Sequence, residues 1–581
     1  LTVIQECVQL TGKEIPLLEI NYSDPKVLGE LSSGDTMGVF QLESSGMRDV
    51  IRRLKPTVFE DIIAIVALYR PGPLEGGMVD DFILRKQGKK PVVYDSPVLE
   101  PILKETYGVF VYQEQVMKTA NVMAGFSLGE ADLLRRAMGK KIAAEMAKQR
   151  EKFVEGALKN GHPGDLAQKI FDLMAEFAKY GFNKSHAAAY AMVTVQTAFL
   201  KTYYPQAFYA ALLSSESGDQ EKMGQIIRSA SDHDIEVLKP HVNFSQREFS
   251  LEVSENVMKV RFGLLGIKNL GENIGATIVD IREKGGAFKS FEDFFKRFPS
   301  QLMNKRQAEC LIRSGALDDL GGTRATMFAS LDSLINEAVA EGKARAGGQA
   351  TLFASKAKIK VVEEWADKIR LNDEKHLLGT YMTGHPLKSY AALLRSFKTL
   401  STEDIKERPP RSKETEVSVA GIITSVKEIF TKKGTKMAFA TIEDRAGAME
   451  VVIFSDLFEE KGGLLVVDRV LLVRAQVSAE GDNVKLLARD LTDLANIEFK
   501  ELHIRLKRKE LVDQLGALPQ WVSRFQGPIK VKVQIPVEAS VEGTSLKQSH
   551  VTMATAFAIQ THPDLMNWLT DTFGEGSLSL Q

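Results

Sequence analysis

Cysteine is scarce in this sequence, which contains only Cys7 and Cys310 among 581 residues. The two lie far apart, and neither has a Cys or His partner at the spacing of a zinc site. The sequence therefore supports neither a disulfide framework nor a structural zinc site. This usage is typical of a reducing compartment, so we expect a cytoplasmic protein.

Long apolar runs are also missing. The most apolar stretch, 187–200, is shorter than the roughly 20 residues of a membrane helix and includes Thr194, Gln196 and Thr197. We interpret it as a buried helix and expect no association with a membrane. The sequence has no signal peptide, and it starts with Leu1 rather than Met, which predicts that the chain begins inside a longer protein.

Length and composition indicate a large globular protein. A chain of this length is expected to form roughly three to five domains. Charged residues make up 26% and hydrophobic residues 44% of it, which is ordinary for globular proteins. The net charge of −1 hides a local excess of basic residues between Arg135 and Lys152. A nearly neutral chain can therefore still bind nucleic acid through one patch.

Residues 125–141 read GFSLGEADLLRRAMGKK and predict a short, well-delimited helix. Ser127 with Glu130 forms a capping box, and Gly139 can supply a left-handed stop. Such a helix would fix Arg135 and Arg136 near its C-terminal end.

Residues 180–191 read YGFNKSHAAAYA and predict the start of another helix. We expect Gly181 to end the preceding helix and Ser185 to cap the new one, so that Lys184 and His186 flank its N-terminus. Backbone N–H groups and the positive end of the helix dipole favour an anion there. The simpler alternative is a solvated basic helix face and an ordinary cap.

Both segments resemble the fingers domain of the bacterial C-family replicative DNA polymerases, the DNA polymerase III alpha subunit family. MGVFQLES at 37–44, YRPGP at 69–73 and YQEQVM at 112–117 extend the resemblance in the same order. It implies that Arg135 and Arg136 grip the triphosphate of an incoming dNTP, with Lys140, Lys184 and His186 as further donors.

Residues 261–271, RFGLLGIKNLG, followed by the helical run 272–284, resemble a helix-hairpin-helix. Its glycines allow a DNA phosphate to approach the backbone, so Gly266, Lys268 and Gly271 are candidate DNA contacts. A structural hairpin without DNA is equally consistent with these residues.

The pentapeptide QATLF at 349–353 resembles a bacterial sliding-clamp-binding peptide. In that resemblance Gln349 forms hydrogen bonds while Leu352 and Phe353 fill an apolar pocket. The peptide follows a Gly-rich stretch, where large apolar side chains have little local core to join, as expected of a segment that orders on binding.

From residue 417 the apolar pattern alternates, which predicts strands at 417–430, 436–443, 448–454, 469–477 and 485–491 with a short helix after the third. This order suggests an OB barrel. Such barrels bind single strands by base stacking and phosphate contacts, so the candidate contacts are Lys432, Lys433, Lys436 and Phe439. A protein-docking role is the alternative.

The predicted fold class is multidomain α+β, with a large helical fingers domain, a helical clamp-binding domain, an OB barrel and a small α/β C-terminal domain. The expected boundaries are 1–24 for the end of the palm, 25–235 for the fingers, 236–355 for the clamp-binding domain, 356–410 for a connector, 411–497 for the OB domain and 498–581 for the C-terminal domain. By resemblance, the last segment docks the tau subunit of the clamp loader.

The resemblance also implies a two-metal phosphoryl transfer with Mg²⁺ held by palm aspartates. No Asp pair in this sequence resembles the palm motif, so we expect no catalytic residue and no metal site in this chain, with Mg²⁺ belonging to the complete enzyme. The expected partners are dNTP, primer-template and single-stranded DNA, the sliding clamp and tau. The alternatives are a scaffold without a nucleotide role and a different metal-dependent nucleotidyl enzyme that uses Asp232 and Asp234.

Overall fold

The computed structural model describes residues 1–140, 143–177, 181–299, 301–302, 304–346, 358–390, 394, 397, 399–407, 415–431, 434–480, 483–494, 501–506, 509–539, 547–559, 563–573 and 577–580. The chain forms two compact units, one of Leu1–Leu311 with Ala338–Leu352 and one of Ile312–Glu337 with Phe353–Gln581. The six boundaries expected from the sequence stay predictions.

The first part of the chain is helical, as predicted. Its helices are α1 (Thr2–Thr11), α2 (Pro25–Ser33), α3 (Ser45–Leu54), α4 (Phe59–Leu68), α5 (Pro71–Glu75), α6 (Met78–Lys86), α7 (Glu100–Leu103), α8 (Gln113–Ala124), α9 (Leu128–Lys140), α10 (Ala143–Lys159), α11 (Gly164–Phe177), α12 (Lys184–Tyr203), α13 (Pro205–Ser215) and α14 (Gln220–Ser231). Short 3-10 helices lie at Pro97–Leu99 and Lys104–Thr106.

In the described part of the chain, two hydrophobic cores hold α2 to α4 and α6 to α12. The first includes Ile62 of α4 and Val195 of α12, and the second includes Phe153 of α10 and Phe171 of α11. The apolar run 187–200 is indeed a buried part of a helix, since α12 spans it. Among the described residues, no helix is both long and apolar enough to cross a membrane.

The chain between 110 and 116 passes from one core to the other. Val111 and Tyr112 belong to the first core, whereas Phe110 and Val116 belong to the second. An isolated parallel bridge pairs Tyr112 with Phe182, just before α12. The start of α8 and the start of α12 are therefore fixed side by side between the two cores.

A small sheet and further helices follow. The strands are β1 (Val237–Leu238), β2 (Ser250–Ser254) and β3 (Val257–Arg261), with β3 in the centre, parallel to β1 and antiparallel to β2. Then come a 3-10 helix at Leu264–Gly266 and the helices α15 (Glu272–Gly285), α16 (Phe291–Arg297), α17 (Lys305–Arg313), α18 (Arg324–Ala346), α19 (Asp367–Leu378) and α20 (Thr402–Glu407). A further 3-10 helix lies at Pro386–Tyr390.

A buried ion-pair network ties α18 to α19 in the second unit. Arg324 is 3% exposed and donates to Asp318 at 2.9 and 2.8 Å and to Oε1 of Glu374 at 3.0 Å. Glu374 is fully buried and also accepts from the backbone N–H groups of Met382 and Thr383 at 2.8 and 2.9 Å. Burial alone would lower the pKa of Arg324, but its partners raise it above the ordinary value.

The predicted OB barrel is confirmed. Its strands are β4 (Glu416–Phe430), β5 (Lys436–Glu443), β6 (Ala448–Ile453), β7 (Val470–Glu480) and β8 (Asn483–Asp493), and they close in the order β4-β5-β6-β8-β7. The short helix α21 (Ser455–Lys461) lies between the third and fourth strands, followed by a 3-10 helix at Gly462–Leu464. Alternate apolar residues fill the interior, including Val419, Ile442 and Val473.

The C-terminal segment is mixed α/β, as expected. Its strands β9 (Glu501–Arg505), β10 (Gln526–Ala539), β11 (Lys547–Ile559) and β12 (Leu578–Leu580) form a sheet in the order β11-β10-β9-β12. The helices α22 (Leu518–Val522) and α23 (Pro563–Phe573) and a 3-10 helix at Lys509–Ala517 accompany it.

Candidate functional site

The helix that carries the two adjacent arginines begins as the sequence predicts. The backbone N–H of Glu130 donates to Oγ of Ser127 at 3.3 Å, and the carboxylate of Glu130 accepts from the N–H of Ser127 at 2.8 Å. This is the expected capping box. The expected stop at Gly139 is wrong, because α9 continues to Lys140. Buried Leu134 anchors the helix to the second core, which offsets the modest cost of an internal glycine.

Arg135 is held from two sides. Its Nε and Nη2 donate to Oδ1 of Asp132 at 3.0 and 2.8 Å, and its Nη1 donates to Oε1 of Gln113 at 3.0 Å. Nε of Arg136 pairs with Oδ2 of Asp132 at 2.8 Å. The hydrogen bond from Arg135 is the main cause that lowers the pKa of Asp132. The side chain of Arg136 is 62% exposed and that of Arg135 is 27% exposed, so Arg136 is the more open of the two.

The second predicted segment lies at the start of α12, but its capping residue differs from the prediction. Oδ1 of Asn183 accepts from the N–H of His186 at 2.8 Å, so Asn183 is the N-cap. Ser185 already lies inside the helix. An Asn is as good a cap as a Ser, and the sequence alone does not decide between two such residues so close together.

Lys184 has more partners than the sequence suggests. Its Nζ forms an ion pair with Glu105 at 2.7 Å, and its backbone N–H donates to the carboxylate of Glu114 at 3.0 Å. The same carboxylate accepts from Nδ2 of Asn183 at 2.8 Å. The expectation of open N–H donors at this helix start is therefore wrong for Lys184 and His186, because protein oxygen atoms already accept from them.

Gln113 connects the two segments. Its backbone N–H donates to the carbonyl of Phe182 at 2.9 Å, and its Nε2 donates to the carbonyl of Gly181 at 3.0 Å, while Oε1 accepts from Arg135. The structure thus brings Arg135 and the start of α12 together through a single side chain. Lys140 is the last residue of α9, and its side chain lies outside the described residues.

A column of rings and cations runs along the start of α12, and the sequence reasoning missed it. The guanidinium of Arg70 lies 4.5 Å from the ring centroid of Phe182, which is 5.4 Å from His186. His186 is 4.4 Å from Tyr190, and Tyr190 is 5.4 Å from Phe40. Burial lowers the pKa of Arg70. The i, i+4 spacing of Phe182, just before α12, and of His186 and Tyr190 within it was the sequence pattern that could have predicted this column.

Comparison with known proteins shows what this chain is similar to. The model of the bacterial DNA polymerase III alpha subunit finger domain matches residues 1–161. The chain is 42% identical to the DNA polymerase III subunit alpha of Vibrio cholerae over 83% of this chain and 42% of that protein. It is 43% identical to that of Thermus aquaticus over 91% of this chain and 45% of that protein. The chain is related to the DNA polymerase III alpha subunits.

The alpha-subunit relationship extends along the whole chain. The protein of Pseudomonas aeruginosa with the same name is 36% identical over 100% of this chain and 52% of its own length. This chain spans about half the length of the curated relatives it matches. A helix-hairpin-helix motif matches residues 234–327, and an OB-fold nucleic acid binding domain matches residues 417–494. Both agree with the predicted fold class.

In this alpha-subunit relative, the helix-hairpin-helix places its candidate DNA residues around a tight connection. Gly271 precedes α15 at a φ of 82°, which favours glycine. A Cβ on Gly266 would lie 2.6 Å from Cε1 of Phe262, so this glycine is required by packing. Lys268 is half-buried between them. Their contact with DNA stays a prediction.

On the OB barrel, Phe439 lies in the middle of β5, paired with Lys427 of β4 and Val452 of β6. Lys436 forms an ion pair with Glu428 at 3.1 Å. The other candidate contacts fall outside the described residues; these are Lys432 and Lys433 of the barrel and Gln349, Leu352 and Phe353 of the clamp-binding peptide.

Within the described ranges, no group of three or more His, Cys, Asp or Glu side chains could hold a metal ion. Asp232, the alternative metal ligand, has its pKa raised by burial. Its neighbour His233 pairs through Nε2 with Asp35 at 2.6 Å. Asp234 has a φ of 57° at the turn that follows α14. The expected absence of the catalytic aspartates from this chain stays a prediction.

Proposed function

We propose that this chain is the part of a replicative DNA polymerase that runs from the fingers to the C-terminus. In the complete enzyme, the 3′ hydroxyl of a DNA primer attacks the α-phosphate of a dNTP and pyrophosphate leaves. The fingers contribute the binding of the incoming triphosphate. The observation that carries the proposal is the pair Arg135 and Arg136, presented by a fixed helix next to the start of α12, in a finger-domain match.

Charge and geometry support a triphosphate as the ligand. A guanidinium offers two parallel N–H groups that match the oxygens of a phosphate, and it keeps its charge at any physiological pH. Asp132 and Gln113 already orient Arg135, so less conformational entropy is lost on binding. Arg136 is exposed enough to turn toward the leaving pyrophosphate and stabilise its developing charge.

Lys140, Lys184 and His186 complete the proposed site. The ammonium of Lys184 must exchange Glu105 for a phosphate oxygen, since the two form an ion pair here. This pair is 37% and 36% exposed, and exposed pairs contribute at most about 1 kcal/mol, so the exchange is inexpensive. His186 adds an imidazole ring that lies 5.4 Å from the ring of Phe182 and 4.4 Å from that of Tyr190.

Mg²⁺ is expected in the complete polymerase, where it would activate the 3′ hydroxyl and neutralise the phosphates. The described residues of this chain contain no cluster that fits the ion. We therefore assign the metal to carboxylates of the preceding palm and no step to a metal in this chain.

The C-terminal parts would bind DNA and partners. The helix-hairpin-helix and the OB barrel are nucleic-acid-binding folds, which supports contacts with duplex and single-stranded DNA. We further propose that Gln349, Leu352 and Phe353 bind the sliding clamp and that 498–581 docks the tau subunit. A cytoplasmic location belongs to the same proposal.

A double substitution in the complete polymerase tests the nucleotide role. Arg135→Ala with Arg136→Ala should raise the KM for dNTP and lower kcat, because each lost charge-assisted contact weakens transition-state binding by about 1.5–3 kcal/mol. The matched control is Lys169→Ala, which removes an exposed cation of the same helical region that pairs with Asp95. The control should leave both constants unchanged.

The second candidate function is a scaffold that binds DNA and clamp without a nucleotide role. The ion pair of Lys184 with Glu105 and the occupied N–H groups of α12 favour it. Steady-state kinetics that are the same for the double variant, the control and the parent enzyme would support the scaffold and contradict our proposal.

Deletion of 349–353 tests the clamp-binding peptide. We expect loss of the clamp-stimulated, processive synthesis and retention of slow distributive synthesis, because a short peptide supplies docking and no chemistry. Primer-extension lengths with and without clamp measure both. An equal loss of the two activities would contradict a docking role.

A further inference from the structure

Gln113 connects the helix that carries Arg135 and Arg136 to the backbone just before α12. It is the first residue of α8 and is half-buried. Its backbone N–H donates to the carbonyl of Phe182, and its side-chain amide spans from Arg135 to the carbonyl of Gly181. The backbone N–H and the amide nitrogen of Gln113 are therefore bonded to the segment before α12, and the amide oxygen is bonded to α9.

We infer that Gln113 is a positioning residue that couples the guanidinium of Arg135 to the backbone in front of α12. The inference rests on the proposed function, since it concerns the same triphosphate site. The orientation of the amide group supports this coupling. Its oxygen accepts from the cationic donor Arg135, and its nitrogen donates to the carbonyl oxygen of Gly181.

The contacts of Arg135 show which N–H groups of its guanidinium remain for a ligand. A guanidinium has five N–H groups, one on Nε and two on each terminal nitrogen. Asp132 and Gln113 accept one from each of the three nitrogens. Nη1 and Nη2 each carry a second N–H beyond these three contacts, and a guanidinium N–H is a strong donor to phosphate oxygens.

Asp132 alone does not fix the guanidinium of Arg135 relative to α12, because Asp132 lies on the same helix as Arg135, three residues earlier. Gln113 supplies the connection across elements. The packing at Gly181 reinforces it, since a Cβ there would lie 3.2 Å from Cγ of Gln113 and 3.1 Å from the ring of Phe177. Displacement of the backbone before α12 would therefore move the amide and, with it, the arginine.

A double-mutant cycle tests the inference with the 581-residue chain, using dATP and deoxyadenosine as probes and equilibrium titration as the measurement. Gln113→Met keeps the size of the side chain and removes both hydrogen bonds. We expect it to weaken dATP binding by about tenfold, the effect of one lost hydrogen bond to a charged group. Binding of deoxyadenosine, which lacks phosphates, should not change.

The double-mutant cycle distinguishes a positioning role of Gln113 from a general effect on the stability of the chain. In a chain that already carries Arg135→Ala, Gln113→Met should have no further effect on dATP binding, since Gln113 acts through Arg135. The matched control is Gln149→Met on α10, whose amide donates to Glu145 of the same helix at 2.8 Å. It should bind both probes like the parent chain. Thermal unfolding and circular dichroism verify that each variant folds.

The outcomes are distinguishable. Unchanged dATP binding in Gln113→Met, or an equal loss with and without Arg135, would overturn the coupling while leaving the arginine site intact. If Arg135→Ala binds dATP as the parent chain does, the proposed nucleotide function fails, and the coupling fails with it. A Gln113→Met variant that unfolds is replaced by Gly181→Ala, which should weaken dATP binding in the parent chain and have no effect in Arg135→Ala.

Discussion

Replacing the buried carboxylate of Glu374 by an amide should destabilise the connector in front of the OB barrel. Oε1 of Glu374 accepts from Nη1 of Arg324 and Oγ1 of Thr383, and Oε2 accepts from the N–H groups of Met382 and Thr383. In Glu374→Gln, one oxygen becomes an NH₂ group that faces either Nη1 of Arg324 and the hydroxyl of Thr383, or two backbone N–H groups. The hydrogen bond to Arg324 or both bonds to the backbone are therefore lost, and the guanidinium loses a buried counterion, at a cost of about 3–5 kcal/mol.

Hydrogen exchange measures this loss locally, which matters because a chain with several domains need not unfold in one step. The amides of Met382 and Thr383 should exchange more than about a hundredfold faster in Glu374→Gln than in the parent. The control is Glu428→Gln, which alters an exposed pair with Lys436 and should change stability by less than about 1 kcal/mol. Equal protection of the two amides in Glu374→Gln and in the parent would refute this account of the connector.

Three further predictions concern other parts of the chain. The hydrogen bond to Asp35 raises the pKa of His233, so its contribution to stability is complete below the unfolded value near 6.5 and disappears as the pH rises through the higher folded value. The melting temperature should therefore fall between pH 6 and pH 9, and less so in His233→Gln. Phe439→Ala should weaken binding of oligothymidine by about 1–3 kcal/mol in fluorescence titration, through loss of one stacking platform. Gly266→Ala should lower the stability of the chain to denaturant by about 1–3 kcal/mol, because the new Cβ meets Phe262.

Controls sharpen these three tests. Gly29→Ala in α2 has no heavy atom within 4 Å of the new Cβ and should be neutral or stabilising. Phe454→Ala removes a half-exposed ring at the end of β6 and should preserve oligothymidine binding. Equal losses in the paired variants, or a melting profile that His233→Gln does not flatten, would contradict the corresponding prediction.

The OB barrel could be predicted from the sequence because the pattern that predicts each strand is local. Alternation of apolar and polar residues fixes both the existence and the inward face of each strand, and the observed bounds differ from the predicted ones by at most three residues. The capping box of α9 was equally readable, since Ser127 and Glu130 interact within one turn.

The details of the candidate site could not be predicted from local sequence patterns, because they depend on residues that are far apart in the sequence. Glu114 is 70 residues from Lys184 in sequence, and Glu105 is 79 residues away, so local spacing gives no sign that they occupy its N–H and its ammonium. The role of Gln113 likewise arises only when the two cores bring α8 and α12 together. Burial of Leu134 against the second core stabilises α9, which continues through Gly139 despite the low helix propensity of glycine.

The segmented second unit has a practical consequence for producing the OB barrel with its connector. Residues Ile312–Glu337 belong to that unit, although the segment that follows them, Ala338–Leu352, belongs to the first unit. A shortened polypeptide that starts at residue 358 would have the Glu374 carboxylate without its guanidinium counterion, whereas one that starts at Ile312 would keep the pair. The earlier start is therefore the one to express.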